Sequence, residues 1–220
     1  VIHQTFTAAE RHAEQQKTLA MPRMRYGLLA RILFITLDLV YGRQRTFSKF
    51  KVLELIARMP YQSWSYVASI AITHMYTQID FARRVYERMK EARAADDNEM
   101  WHLLILEELT YTRKIKENFL LYRILPQIIA FVYYQISWLL YVIEPARSYL
   151  LNANFEDHAE HEYAEFVAET PQFETEPFKS RLESDYGSYA SLADLFRQIA
   201  LDERMHKEES LAYVDKGRFQ

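Results

Sequence analysis

"DNEMWHLLILEEL", residues 97–109, places Glu99 and His102 three residues apart in an otherwise greasy run. The same spacing returns in "ALDERMHKEES", residues 200–210, as Glu203 and His206. In a helix, residues i and i+3 share one face, so each Glu-x-x-His presents a carboxylate beside an imidazole. Leu103, Leu104 and Leu106 flank the first pair, and Ile199, Ala200, Leu201 and Met205 the second. Burying such a pair is costly unless a metal or a partner compensates it. With seven histidines in the chain, chance alone supplies about one such pair, so two are suggestive rather than decisive.

A carboxylate-bridged di-iron centre in a ferritin-like four-helix bundle needs two Glu-x-x-His helices and one further Glu on each of two others. Glu54 fits, since "FKVLELIARMP", residues 50–60, surrounds it with Val52, Leu53, Leu55 and Ile56. The competing reading is an exposed acid near Lys51 and Arg58. The other stretch, "NANFEDHAEHEYAEF", residues 152–166, offers Glu156, Glu160, Glu162, His158 and His161. A solvated acidic face is the usual reading of such a run. If one carboxylate turns inward, Glu156, following Phe155, is the choice. Four carboxylates and two imidazoles neutralise two ferrous ions and leave positions open for dioxygen. Iron storage and several oxygenases satisfy the same formula.

The rest of the 220-residue chain is consistent with one all-α domain. Half its residues are apolar, it has only four glycines, and its long runs of Leu, Ala, Glu, Arg and Met favour helices. It holds no cysteine, which excludes disulfides, zinc–thiolate sites and iron–sulfur clusters. A net charge of −3 gives no reason to expect nucleic acid as a partner. The chain opens on Val1, as expected of a processed or trimmed start, and shows no signal or transit peptide.

Residues 1–19 are polar and read as an arm. Helices are expected over 25–41, 48–78 with a kink at Pro60, 81–114, 124–143, 145–169 and 191–215, the last opened by a Ser191–Asp194 capping pair. Residues 170–188, with two prolines and a glycine, form a connector. The stretch 124–143 carries no charge for twenty residues, long enough to cross a bilayer, but it also suits a central core helix. Its tyrosines and tryptophan, and the arginine-flanked apolar segment 25–41, favour a helix lying at a membrane interface.

Four motifs in this order resemble the alternative oxidase family across nearly the whole chain, closest to its plastid-terminal-oxidase branch. They are "VLELIARMPY", "NEMWHLLILEEL", "FEDHAEHEYAEF" and "LDERMHKE". The resemblance implies a membrane-bound, non-haem di-iron quinol oxidase that reduces dioxygen to water without pumping protons. It implies Glu54, Glu99, His102, Glu156, Glu203 and His206 as ligands of two iron ions. It implies Tyr163 as a redox-active tyrosine beside them, and Asn98 and Asp202 as residues that orient the ligands. Segments 25–41 and 124–143 would form a hydrophobic face lying in one leaflet, making the protein monotopic. Quinol would reach the centre past Leu53, with Lys49 where the family commonly has Arg. Leu55 stands where the family usually has Thr, and Glu162 where it often has Thr or Ser. These departures fall outside the six implied metal ligands.

Family members are homodimers, which makes residues 1–19 a candidate dimer-crossing arm. The implied quinol is plastoquinol or ubiquinol. The implied membrane is a bacterial inner membrane or an organellar one, thylakoid or mitochondrial. A connector shorter than in plant plastid members favours a bacterial or algal source, and the absence of cysteine excludes thiol-linked control. The alternatives are a di-iron quinone-ring hydroxylase, which would lack the "NEMWHLLILEEL" context, and an iron-binding bundle without oxidase activity.

Overall fold

The structure, a computed structural model, describes residues 6–219. Helix α1 spans Ala8–Ala20, α2 Leu28–Tyr41, α3 Phe47–Met75 and α4 Ile79–Thr112. A π-helical turn, Leu120–Ile124, leads into α5, Leu125–Ile143. Then come α6, Pro145–Glu169, a 3-10 turn at Pro171–Glu174, the one-turn α7, Glu183–Tyr186, and α8, Leu192–Val214. No strand occurs among the described residues.

Helices α3, α4, α6 and α8 form the bundle. The three-residue link 76–78 folds α4 back along α3, and α6 packs lengthwise on α8. Local chemistry sets the ends. The Thr46 hydroxyl accepts from Lys49 N at the start of α3, and the Ser191 hydroxyl accepts from Asp194 N at the start of α8. Asp194 does not complete the expected reciprocal cap. Its carboxylate instead takes a two-point contact from Arg11, at 2.7 Å on each oxygen. Helix α3 continues through Pro60, so the proline ends no element there. Gly42 follows α2 at φ +81, a conformation that side chains rarely adopt.

Helix α5 buries Pro126, Ala130, Tyr133, Ser137 and Tyr141, a three-to-four-residue repeat on one face, against α3 and α6. Its opposite face, with Ile128, Phe131 and Leu139, is exposed and equally apolar. Helix α2 does the same, with Ala30, Phe34 and Leu37 inward and Leu28, Ile32, Ile35 and Leu39 outward. By length and composition, the helical run Leu120–Ile143 could cross a membrane.

Residues 8–19, expected to belong to an arm, lie instead in a helix seated on α6 and α8 of the same chain. Gln15 Nε2 donates to Ala164 O, and Thr18 Oγ1 donates to Glu160 Oε1. This helix docks through buried polar contacts, so it lacks the apolar stripe that would announce it. Residues 1–5 of the expected arm lie outside the described part of the chain.

Candidate metal centre

Each bundle helix delivers its share of the six expected ligands to one point. Glu54 comes from α3, Glu99 and His102 from α4, Glu156 from α6, and Glu203 and His206 from α8. All six are at most 1% exposed. They fall into two groups of four with converging donor atoms. One is Glu54, Glu99, His102 and Glu203, and the other is Glu99, Glu156, Glu203 and His206. Glu99 and Glu203 belong to both, which is the arrangement that two bridged ions need.

His102 Nδ1 faces this cluster, 3.1 Å from Glu203 Oε1 and 3.3 Å from Glu54 Oε2. His206 Nδ1 lies 2.7 Å from Glu99 Oε1. That pair is close but misaligned, and neither atom makes a hydrogen bond. Both carboxylate oxygens of Glu99, both of Glu203, Oε2 of Glu156 and both ring nitrogens of His206 are buried without a hydrogen-bond partner. Buried polar atoms nearly always find partners, so six such orphans around one point, with His206 Nε2 set apart on the far side of its ring, fit a set of metal donors.

The electrostatics agree. Burial, then Glu203 and Glu99, pushes the Glu54 carboxyl well above its usual range. Burial, then Glu99 and Glu203, does the same to Glu156. Burial also acts upward on Glu99, but His102 and His206 outweigh it and hold that carboxyl low. Four acids packed this tightly repel one another unless cations join them.

Outside the ligands, Asp202 organises a network. Its Oδ2 accepts from the Tyr186 hydroxyl at 2.6 Å and from Asn98 Nδ2 at 3.4 Å, and its Oδ1 accepts from Gln198 Nε2 at 3.0 Å. The outward nitrogen of His102, Nε2, meets Tyr186 Oη at 3.1 Å and Asp202 Oδ2 at 3.3 Å. Such contacts fix which ring nitrogen points at a metal. Asn98 and Asp202 were expected here. Tyr186 was not, because it sits in a connector and only the tertiary fold carries it to His102.

Two tyrosines touch ligand carboxylates directly. The Tyr163 hydroxyl donates to Glu54 Oε1, and the Tyr61 hydroxyl donates to Glu156 Oε1 at 2.6 Å. Tyr61 lies seven residues after Glu54, as Tyr163 lies seven after Glu156, and that symmetry was a signal in the sequence that went unread.

The ambiguity along α6 is resolved by neighbours. Glu160 Oε2 takes Lys207 Nζ at 2.5 Å, and its Oε1 takes Arg204 Nε at 2.9 Å. Glu162 pairs with Arg23 and Arg45. His158 stacks on Phe34 at 3.9 Å, and burial, then Arg23 and Lys49, pushes its pKa down to about 3. Asp157, Glu160 and His161 also converge, but Lys207 already bridges the two acids. Lys49 is buried, with Nζ 2.7 Å from Asp38 Oδ1 and 2.9 Å from Gly42 O, and Leu53, immediately before Glu54, is buried too.

The family model described as alternative oxidase matches residues 10–213. The chain belongs to the alternative oxidase family. Its fold is therefore the family's di-iron helical bundle, here with the buried Glu/His cluster in place. Among curated proteins, the alternative oxidase chain is similar to "Ubiquinol oxidase 4, chloroplastic/chromoplastic" of Arabidopsis thaliana, 37% identical over 131 residues. That match covers 60% of this chain and 34% of the relative, so this chain spans well under two thirds of the relative's length.

Proposed function

We propose that this protein is a membrane-associated quinol:dioxygen oxidoreductase that reduces dioxygen to water at a di-iron centre and pumps no protons. The observation that carries the reading is the pair of four-donor groups sharing Glu99 and Glu203. Glu54 and His102 would hold one iron and Glu156 and His206 the other, with Glu99 and Glu203 common to both. When bound, the iron pair would pass electrons to dioxygen between its ferrous and ferric states, and two quinols per dioxygen would supply the four electrons and four protons that make two waters.

The chain's own residues do the rest. Asp202 and Tyr186 hold the His102 ring so that Nδ1 stays turned to the cluster. Asn98 steadies Asp202. Tyr163 keeps a proton on its bond to Glu54, where it can be given up together with an electron. Phe50 and Phe196, stacked on Tyr163 at 4.2 and 5.9 Å, keep water from that side.

The exposed apolar faces of α2 and α5 support a monotopic protein seated in one leaflet, since contiguous apolar surface of this kind marks contact with lipid or protein. A cleft of about 210 Å³ opens beside α5, with Val52, Leu55, Leu103, Tyr122 and Pro126 as its apolar wall and Lys51, Glu107 and Arg123 as its charged rim. It would give a lipid-soluble quinol, plastoquinol or ubiquinol, a route toward the centre; Lys49, its ammonium held by Asp38 and Gly42 O, lies outside this cleft, and Lys51 and Arg123 are the cations that line it. The protein would pair as a homodimer in a bacterial inner membrane or an organellar one.

The test combines iron analysis with oxygen uptake on one purified sample given quinol in the presence of cyanide. Two irons per chain and cyanide-resistant uptake are expected. Iron with no quinol-dependent uptake would point to an iron-binding bundle, and a hydroxylated quinone product to a ring hydroxylase.

A further inference from the structure

The two tyrosines that touch the cluster sit in opposite surroundings. Around Tyr163 every stacked ring is phenylalanine: Phe50 and Phe196, then Phe47, Phe166 and Phe173 beyond them. Phenylalanine has no proton to release and resists one-electron oxidation, so among the described residues an oxidised Tyr163 stacks on no ring that could take its deficit.

Around Tyr61 the rings are oxidisable. Its centroid lies 5.5 Å from that of His206 and 5.3 Å from that of Trp64. Trp64 lies 4.8 Å from Tyr149, and Tyr149 lies 5.6 Å from Tyr213. Tyr61, Trp64 and Tyr149 are buried, whereas Tyr213, near the end of α8, is partly exposed. Each hydroxyl or indole N–H along the way has a hydrogen-bond partner. Tyr61 donates to Glu156, and Trp64 Nε1 donates to Ser148 Oγ at 2.9 Å. Tyr149 Oη meets Tyr141 Oη at 3.2 Å, and Tyr213 donates to Glu91 Oε2 at 3.0 Å. A cavity of about 30 Å³ bordered by Tyr61, His206, Ser210 and Tyr213 follows the same line. It is roomy enough for water, which needs roughly 10–15 Å³.

We propose that Tyr61, Trp64, Tyr149 and Tyr213 form an electron-supply chain from the protein surface to the Glu156–His206 edge of the centre, a protective second activity that discharges the centre when dioxygen arrives without quinol. It rests on the di-iron reading above. Tyr61 gives one electron inward, and its phenolic proton moves to Glu156 Oε1. Trp64 refills Tyr61, which takes its proton back. Tyr149 refills Trp64, and Tyr213 refills Tyr149, passing its own proton to Glu91. Trp64 and Tyr149 end each pass unchanged, their protons on the hydrogen bonds just described. A thiol in solution then returns an electron and a proton to Tyr213. Two passes deliver two electrons to the centre and join two thiols as one disulfide, with their two protons released to water.

The experiment uses the full chain loaded with ferrous iron and exposed to dioxygen with no quinol, in the presence of a nitroso radical trap. Trap adducts are located by peptide mass spectrometry, and iron is measured on each sample. In the unsubstituted protein, the adduct is expected mainly on Tyr213, to depend on iron, and to vanish when a thiol is added before the trap. Trp64→Phe should lower the Tyr213 adduct severalfold and move oxidation inward to the peptide holding Tyr61. Tyr149→Phe, which removes only a hydroxyl and so preserves packing, should do the same. An equal Tyr213 adduct in both variants, with iron retained, would overturn the chain while leaving the di-iron reading intact. A protein that takes up no iron overturns both.

Discussion

The Glu54 and Glu156 sides of the cluster are built from matching parts and finished differently. Each pairs a glutamate with a tyrosine hydroxyl donated from the facing helix: Tyr163 of α6 to Glu54 of α3, and Tyr61 of α3 to Glu156 of α6. Beyond that first contact they diverge. The Glu54 side is closed by a phenylalanine shell, and the Glu156 side leads through Trp64 and Tyr149 to the surface. On the proposed reading, the ligands define where electrons can be held, and the rings behind them define where electrons can go.

The largest expected effect removes what the two sides share. Outer partners of metal ligands typically cost about 10–100-fold in affinity or activity, so losing a ligand common to both ions costs more. Glu203→Ala should lose most of its iron and with it quinol oxidation. Full iron occupancy and normal turnover in that variant would show that the sides do not depend on a common ligand.

Next comes the tyrosine of the closed side. Tyr163→Phe keeps the ring and its stacking, so iron and helix content should persist. Loss of a positioned proton donor costs on the order of 10²–10⁴-fold in rate, and quinol oxidation should fall accordingly. A phenylalanine at Tyr134, partly buried on the same apolar helix α5, should cost far less. Equal rates in the two variants would reduce Tyr163 to packing.

A third substitution sharpens the contrast by opening the closed side. Phe50→Tyr puts an oxidisable ring, and a buried hydroxyl without a partner, 4.2 Å from Tyr163. The hydroxyl should lower stability by about 1–3 kcal/mol, read as the denaturation midpoint. Iron-dependent oxidation should then appear at position 50, and its absence would mean that the phenylalanine shell does not confine Tyr163.

The smallest effect lies outside both sides. Lys17, then Arg204, holds the Glu14 carboxyl below its usual value of 4.5. A lowered carboxyl pKa stabilises the folded state fully above about pH 4.5 and ceases to as pH falls through the folded value. Hydrogen exchange in α1 should therefore quicken below about pH 4.5 before exchange in α4 or α8 does. Simultaneous loss of protection in all three would show that α1 is not separately held.

Much of this molecule was legible in advance because its strongest signals are local. Helix spacing placed Glu99 with His102 and Glu203 with His206, Pro145 opens α6 where charge returns after the apolar run, and Ser191 caps α8. The choice of Glu156 over Glu160 and Glu162 relied on one neighbour, Phe155. What decides it in three dimensions is that Lys207, Arg204, Arg23 and Arg45 claim the other acids. Those cations come from distant segments and leave no mark on residues 152–166. Tyr186 and the ring path from Tyr61 were hidden for the same reason. Helix α1 was a different failure. Thr7 and Glu10 form a readable capping box, but a helix that docks by Gln15, Thr18 and Arg11 has no apolar periodicity to advertise it.

Helices α4 and α8 touch each other only briefly, yet each brings a shared glutamate and a histidine to the same point. Those two stretches lie about a hundred positions apart in the chain, so the cluster closes a long loop, and contacts of that kind form late in folding. Without ions, that last closure must force mutually repelling carboxylates together. With ions it becomes attractive, and anything that binds only the folded form raises apparent stability by RT ln(1 + [L]/Kd). On the proposed di-iron reading, the closing step of folding is coupled to the free iron around the chain, so newly made protein in an iron-poor compartment is left with α4 and α8, two of its four ligand-bearing helices, less firmly joined.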